Sequence, residues 1–215
     1  MAYIERKRII LGRWEDVTGN RERDGLICAL RSIEAREGER LGWDQPARVW
    51  TLHLADLDTN AVEVRPVSSR AWRTGLDNPA DDLRTTALSL PAPDRDLPAL
   101  AYADARDGIA AVVAMNEGWM VAEEDLTDED RAAQLRGVRS LVNNRKRVEV
   151  RTVTAVDING YGYGLTRMRG KPLEDTVRLV DRDDMWATSG VGPGNLVRSL
   201  YCLATAARLG TWPRT

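Results

Sequence analysis

At 215 residues, with 43% hydrophobic and 30% charged, the chain has a globular composition, neither disordered nor membrane-embedded. The balance of 31 basic against 33 acidic residues, net −2, argues against a dedicated duplex-binding protein, which carries a strongly basic face. Two cysteines do not make a disulfide framework and fit a reducing compartment.

No apolar run approaches the ~20 residues that span a bilayer. The run Ile9 to Leu11 is too short for a signal-peptide core, so a cytoplasmic location is expected. Lysine occurs only at Lys7, Lys146 and Lys171, and arginine carries the remaining positive charge.

In chain order, residues 8–14 suggest a short strand. Asn20 is a helix cap, and Leu26, Ile27, Leu30, Ile33 and Leu41 recur at helical spacing, which predicts a helix over about 21–39 closed near Gly42. The turn Asp44 to Pro46 leads to a strand from Arg48 to Leu54. On it Trp50, Leu52 and Leu54 share one face and Val49, Thr51 and His53 the other. A second strand, Ala61 to Val67, pairs with it as a hairpin. Asn78-Pro79 opens a short helix to about Leu90. The proline-bearing stretch after it makes 91–107 the place for an internal boundary, if the single domain 1–215 has one.

Ile109 to Met115 is apolar on both faces, as in a central strand covered on both sides. It is expected to end or bulge at the polar pair Asn116 and Glu117, just before Trp119. Thr127 with Asp130 resembles a capping box and starts a helix to about 142. Asn159-Gly160 predicts a two-residue hairpin turn with φ > 0 at both positions. That register puts Val148, Val150, Thr152, Thr154, Val156 and Ile158 on one face with Tyr161, Tyr163 and Leu165. Glu149, Arg151, Asp157, Gly162 and Gly164 fall on the other. A short strand over 176–180, the acids Asp181, Asp183 and Asp184, and an apolar helix over 195–209 stopped by Gly210 complete the chain.

Chemistry is excluded more readily than assigned. With His53 the single histidine and no paired cysteines, no zinc site is predicted. No G-x-S-x-G elbow accompanies it, so a serine-hydrolase triad is not supported. The glycines of GVGPGN precede a helix but lack the Lys-Ser/Thr pair of a P-loop and the third glycine of a dinucleotide fingerprint. Carboxylates remain. Glu117 with Asp181, Asp183 and Asp184 is the candidate catalytic set for a magnesium-dependent, nuclease-like phosphoester enzyme. Arg145, Lys146 and Arg147 are candidates for local phosphate contact, although three charges at a turn ordinarily face water. Asn116, Glu117, Trp119, Trp43 and Asp44 are the candidate binding residues.

The phrase GWDQPARVWTL, Gly42 to Leu52, resembles a GWDQPP-R-apolar phrase of uncharacterised actinobacterial and actinophage proteins. VVAMNEGWMV, Val112 to Val121, resembles the E-A-W-M strands of small proteins of unknown function. Ala47 stands in place of the second proline and Gly118 in place of the alanine. The resemblance implies a phage or mobile-element origin and brings no activity or site residue with it.

The expectation is therefore an α+β fold: a mostly antiparallel sheet of about six strands packed with three main helices. The leading functional expectation is a cytosolic, non-enzymatic protein that binds a protein partner, with no cofactor and no membrane. The alternative is the magnesium-dependent enzyme.

Overall fold

The computed structural model describes residues 7–9, 21–56, 61–67, 83, 87, 90, 98, 100–105, 108–135, 143–172, 178–180 and 194–212. Seven strands form one antiparallel sheet in the order β1-β3-β2-β4-β5-β6-β7. They are β1 (Lys7–Ile9), β2 (Arg48–Asp56), β3 (Ala61–Pro66), β4 (Ile109–Met120), β5 (Val148–Asp157), β6 (Gly162–Met168) and β7 (Arg178–Val180). Three helices with described bounds accompany them: α1 (Arg21–Leu41), α2 (Asp128–Leu135) and α3 (Gly194–Leu209). The class is α+β, as expected. The chain between β3 and β4, strands that flank β2 in the one sheet, includes 91–107, of which most residues lie outside the described ones.

β4 is the centre. Ala111, Val113 and Met115 join the core under α1 with Leu26, Leu30 and Ile33, while Val112 and Ala114 join the core under α3 with Leu200, Leu203 and Ala207. A strand buried on both faces reads as a continuous apolar run, and this one does. Helix α3 is correspondingly closed off, with Leu200, Leu203 and Ala206 wholly buried. It ends at Gly210, φ 70°, where Gly210 N–H bonds Ala207 O and Thr211 N–H bonds Ala206 O, the paired bonds of a glycine-stopped helix. Helix α1 also stops at a glycine, Gly42, φ 69°, through a single bond from Gly42 N–H to Gly38 O at 3.1 Å.

The capping box at Thr127 is present and reciprocal: Asp130 N–H bonds Thr127 Oγ1 at 3.1 Å, and Thr127 N–H bonds Asp130 Oδ2 at 3.1 Å. The remainder of the helix predicted to 142 lies outside the described residues, as does most of the one predicted from Asn78. Leu83 and Ala87 of the latter are helical and buried. His53 is a buried strand residue with Nε2 2.9 Å from Thr51 Oγ1, which is a structural role. No described helix is long and apolar enough to cross a membrane.

Two expectations are corrected. β4 neither ends nor bulges at Asn116 and Glu117; its pairing with β5 runs unbroken from Ala111↔Asp157 to Met120↔Val148. The hairpin at Asn159-Gly160 has a three-residue loop, because Val156 pairs with Gly162 and Ala155 with Tyr163. Gly160 N–H bonds Asp157 O, and only Gly160, φ 83°, takes the left-handed conformation there. This is the turn-plus-bulge alternative for a short hairpin. One added loop residue moves Tyr163 and Leu165 to the other side of β6 relative to β5. They share the α1 face with Arg151, Val153, Ala155 and Asp157, while Gly162 and Gly164 pair with Val156 and Thr154.

Candidate functional site

On helix α1 the apolar stripe runs through Leu26, Ala29, Leu30 and Ile33, and Glu34 takes the next place on the same face. It is wholly buried. Across the sheet the β strands bring polar residues to meet it, because Glu117, Arg151 and Arg167 stand opposite one another on β4, β5 and β6. Arg151, 1% exposed, lies between two acids: Nε and Nη2 bond Glu117 Oε1 at 3.0 and 2.7 Å, and Nη1 is 3.5 Å from Glu34 Oε1. Arg167 Nη1 closes the group at 3.1 Å from Glu34 Oε2. Two glutamates and two arginines balance, as buried charges must. Gly38 of α1 makes room for this packing, since a Cβ there would stand 2.8 Å from Arg151 Nη1.

The loop after α1 closes over the network. Asp44, φ 69°, is the one described non-glycine residue with positive φ, and this bend turns two consecutive amides inward. Glu117 Oε2 accepts both, from Asp44 N at 2.6 Å and Gln45 N at 3.0 Å. Arg151 Nη2 donates to Gly42 O, and the Trp43 ring lies 4.7 Å from the Arg151 guanidinium and 5.5 Å from that of Arg169. Arg169 in turn joins Asp44 at 3.2 Å and Glu149 at 2.6 Å. Thus the GWDQ and NEGW phrases, far apart in sequence, form one assembly.

Of the binding candidates, Trp43, Asp44 and Glu117 are brought together. Trp119 stands on the same face of β4, near the strand end, 42% exposed, with the Arg147 guanidinium 4.5 Å from its ring. Asn116 does not join them. It points to the opposite face, where its Oδ1 accepts from Thr152 Oγ1 at 2.9 Å. Of the phosphate candidates, Lys146 is engaged by Asp125, Arg147 by Trp119, and Arg145 is exposed. Asp181, Asp183 and Asp184 lie outside the described residues.

A different set of acids converges. Carboxylate oxygens of Asp44, Glu117 and Glu149 lie within 4.8 Å of one another. Each already has a guanidinium counterion, Arg169 for Asp44 and Glu149 and Arg151 for Glu117. Glu117 Oε2 is further occupied by two amides. A divalent cation fits this set only by displacing Arg169.

A second polar group, not anticipated from the sequence, is buried beneath the other end of α1. Asp157 Oδ2 accepts from the hydroxyls of Tyr102 at 2.6 Å and Tyr163 at 2.7 Å, and Oδ1 from the amides of Asn159 and Tyr161. Burial pushes the Asp157 carboxyl above the usual carboxylate range, and pushes both tyrosine hydroxyls up as well. Asn159 completes the structure by exchanging two hydrogen bonds with the Leu100 backbone, at 2.8 and 2.9 Å. All four acceptor positions in use on Asp157 are filled from within the chain, which is the chemistry of a staple.

The missed residues had a signal. Glu34 sits on an apolar helical stripe, and Arg151 alternates with Val153 and Ala155, so each charge demanded a buried partner. Compared with protein-family models, with curated proteins and with solved structures, the chain matches none.

Proposed function

We propose that this chain is a cytosolic, non-enzymatic binding protein that meets a protein partner through the surface carrying Trp43 and Trp119. The observation that carries the reading is the contrast between Glu117 and Trp119, two residues apart on one strand face. Glu117 is committed to Arg151 and to two backbone amides, leaving it no free lone pair aimed at a substrate. Trp119 is 42% exposed, the most exposed large hydrophobic side chain among the described residues, and is stacked with an arginine. Tryptophan and arginine are the side chains that most often anchor protein contacts. A phage or mobile-element origin, with a host component as the partner, extends the proposal and rests on the resemblance of the two phrases.

The test is capture of partners from host lysate by wild-type protein and by Trp119→Ala, with the fold of each checked by circular dichroism and thermal melting. Loss of one stoichiometric partner from the folded variant supports the reading. Equal capture by both proteins overturns it.

The convergence of Asp44, Glu117 and Glu149 favours the magnesium reading as the second choice, with these acids beside or in place of the 181–184 group. Magnesium at millimolar levels would then raise the melting temperature, and Glu149→Gln would abolish the rise. No shift with added magnesium removes this acid set as a metal site.

A further inference from the structure

Beyond Trp119, two turns of opposite charge are fixed side by side. Asn144 holds them together: its Nδ2 donates to Asp125 O at 3.2 Å and to Asp130 Oδ2 at 2.8 Å. Lys146 reaches Asp125 across the same gap. On one side of this junction Arg145 and Arg147 have no carboxylate partner among the described residues, although Arg151, Arg167 and Arg169 on the neighbouring sheet face each have one. On the other side Glu124 and Glu129 are exposed; neither forms an ion pair among the described residues, and Glu124 lies within electrostatic reach of Lys146. Next to both lies the exposed side chain of Trp119, 42% exposed and stacked with Arg147.

We propose that the corner formed by Trp119, the basic turn at Arg145 and Arg147, and the acidic segment at Glu124 and Glu129 pairs two copies of this chain about a two-fold axis. A two-fold contact requires a patch that complements itself, with each feature meeting its counterpart on the other copy. An apolar side chain flanked by exposed charges of both signs meets that requirement: the basic turn of one copy faces the acidic segment of the other, and the Trp119 rings lie nearest the axis. A polyanion such as single-stranded nucleic acid fits the same corner poorly, since its phosphates would meet Glu124 and Glu129. Nor does net charge oppose pairing, because −2 over the whole chain gives little self-repulsion. The inference rests on the reading of the Trp119 surface as a protein-contact surface and names its occupant.

Sedimentation equilibrium of the full chain at roughly 10–100 μM, the range of a small transient interface, reads the result directly. Wild type is expected to reach twice the 24.0 kDa chain mass in low salt and to dissociate about 10-fold more readily in high salt. Arg145→Glu/Arg147→Glu and Glu124→Lys/Glu129→Lys should each be monomeric, since each places like charges face to face. Their equimolar mixture should recover the dimer, because each altered turn now meets its opposite. A wild type monomeric throughout the range overturns the proposal, and so does a dimer that survives both reversals and Trp119→Ala. If the wild type is monomeric yet loses a lysate partner on Trp119→Ala, the second copy is wrong and the contact surface stands. If neither self-association nor capture depends on Trp119, both fall.

Discussion

Glu117, at the middle of a sheet, holds the amide of Asp44 at 2.6 Å from 73 residues away in the chain. The same carboxylate pairs through its other oxygen with Arg151. One side chain therefore fixes the loop after α1 and neutralises a buried guanidinium. Both oxygens of Glu117 are thus engaged within the chain.

Glu117→Gln should loosen the loop before it loosens the sheet. The amide keeps one acceptor oxygen but removes the charge that Arg151 faces, and breaking one side of a buried pair costs on the order of 3 kcal/mol. Hydrogen exchange at the Asp44 and Gln45 amides should accelerate more than exchange across the β4–β5 ladder. Unchanged protection at those two amides would mean that the loop holds its shape without Glu117.

Arg151 and Glu34 should be energetically coupled. Arg151→Met alone leaves Glu117 without its counterion and Glu34 with Arg167 alone, and should destabilise by about 3–5 kcal/mol. Pairing it with Glu34→Gln should recover part of that loss, since the second change removes the excess negative charge that the first leaves in the cluster. Urea denaturation of the two single variants and the double variant measures the coupling. Strict additivity would show that the 3.5 Å contact carries no interaction.

Gly160→Ala should destabilise by more than ~1 kcal/mol, for two reasons that add. The residue has φ 83°, and a Cβ would lie 2.6 Å from Tyr201 Cε2 on α3. Tyr201→Ala in the same chain should relieve the steric part and leave the backbone part. Thermal melts of the three variants separate the two contributions.

Asp157 gives a pH dependence of definite sign. Its carboxyl titrates above its unfolded value of about 3.9, so between that value and the raised one the native state binds more protons than the unfolded state. Its contribution to stability is therefore greatest at low pH and falls as pH rises through this window. Asp157→Asn keeps an oxygen for the two amides, and the tyrosine hydroxyls can turn to accept from its NH₂. Stability of wild type minus variant, measured by denaturant titration across the acid range, should decline with rising pH. A difference that rises instead would show that the four hydrogen bonds outweigh burial.

Local signals in the sequence were sufficient for several elements. The end of α1 at Gly42, the Thr127 capping box, the β2–β3 hairpin, the doubly covered run Ile109 to Met115 and the buried α3 each depend on residues within a few positions of one another. A cap, an apolar period or a stop glycine acts over one turn and can be read there. By contrast, the continuation of β4 through Asn116 and Glu117 was not readable. A polar pair signals a strand end only when it lacks partners, and here Arg151, Asp44 and Thr152 supply them from elsewhere.

The sequence by itself determined the α+β class, the central strand, the limits of α1 and α3, the start of α2 and the place of the hairpin turn. Tertiary structure decided the register of that hairpin and the identity of the charged cluster. Asn159-Gly160 is compatible with either a two-residue loop or a three-residue loop with a glycine bulge. The three-residue form places Tyr163 and Arg167 on the face that Asp157 and Arg151 share, where Tyr163 reaches Asp157 and Arg167 reaches Glu34. The reason is that a shift of one residue exchanges every side chain between faces, so the choice is made by buried hydrogen bonds and ion pairs formed with distant segments.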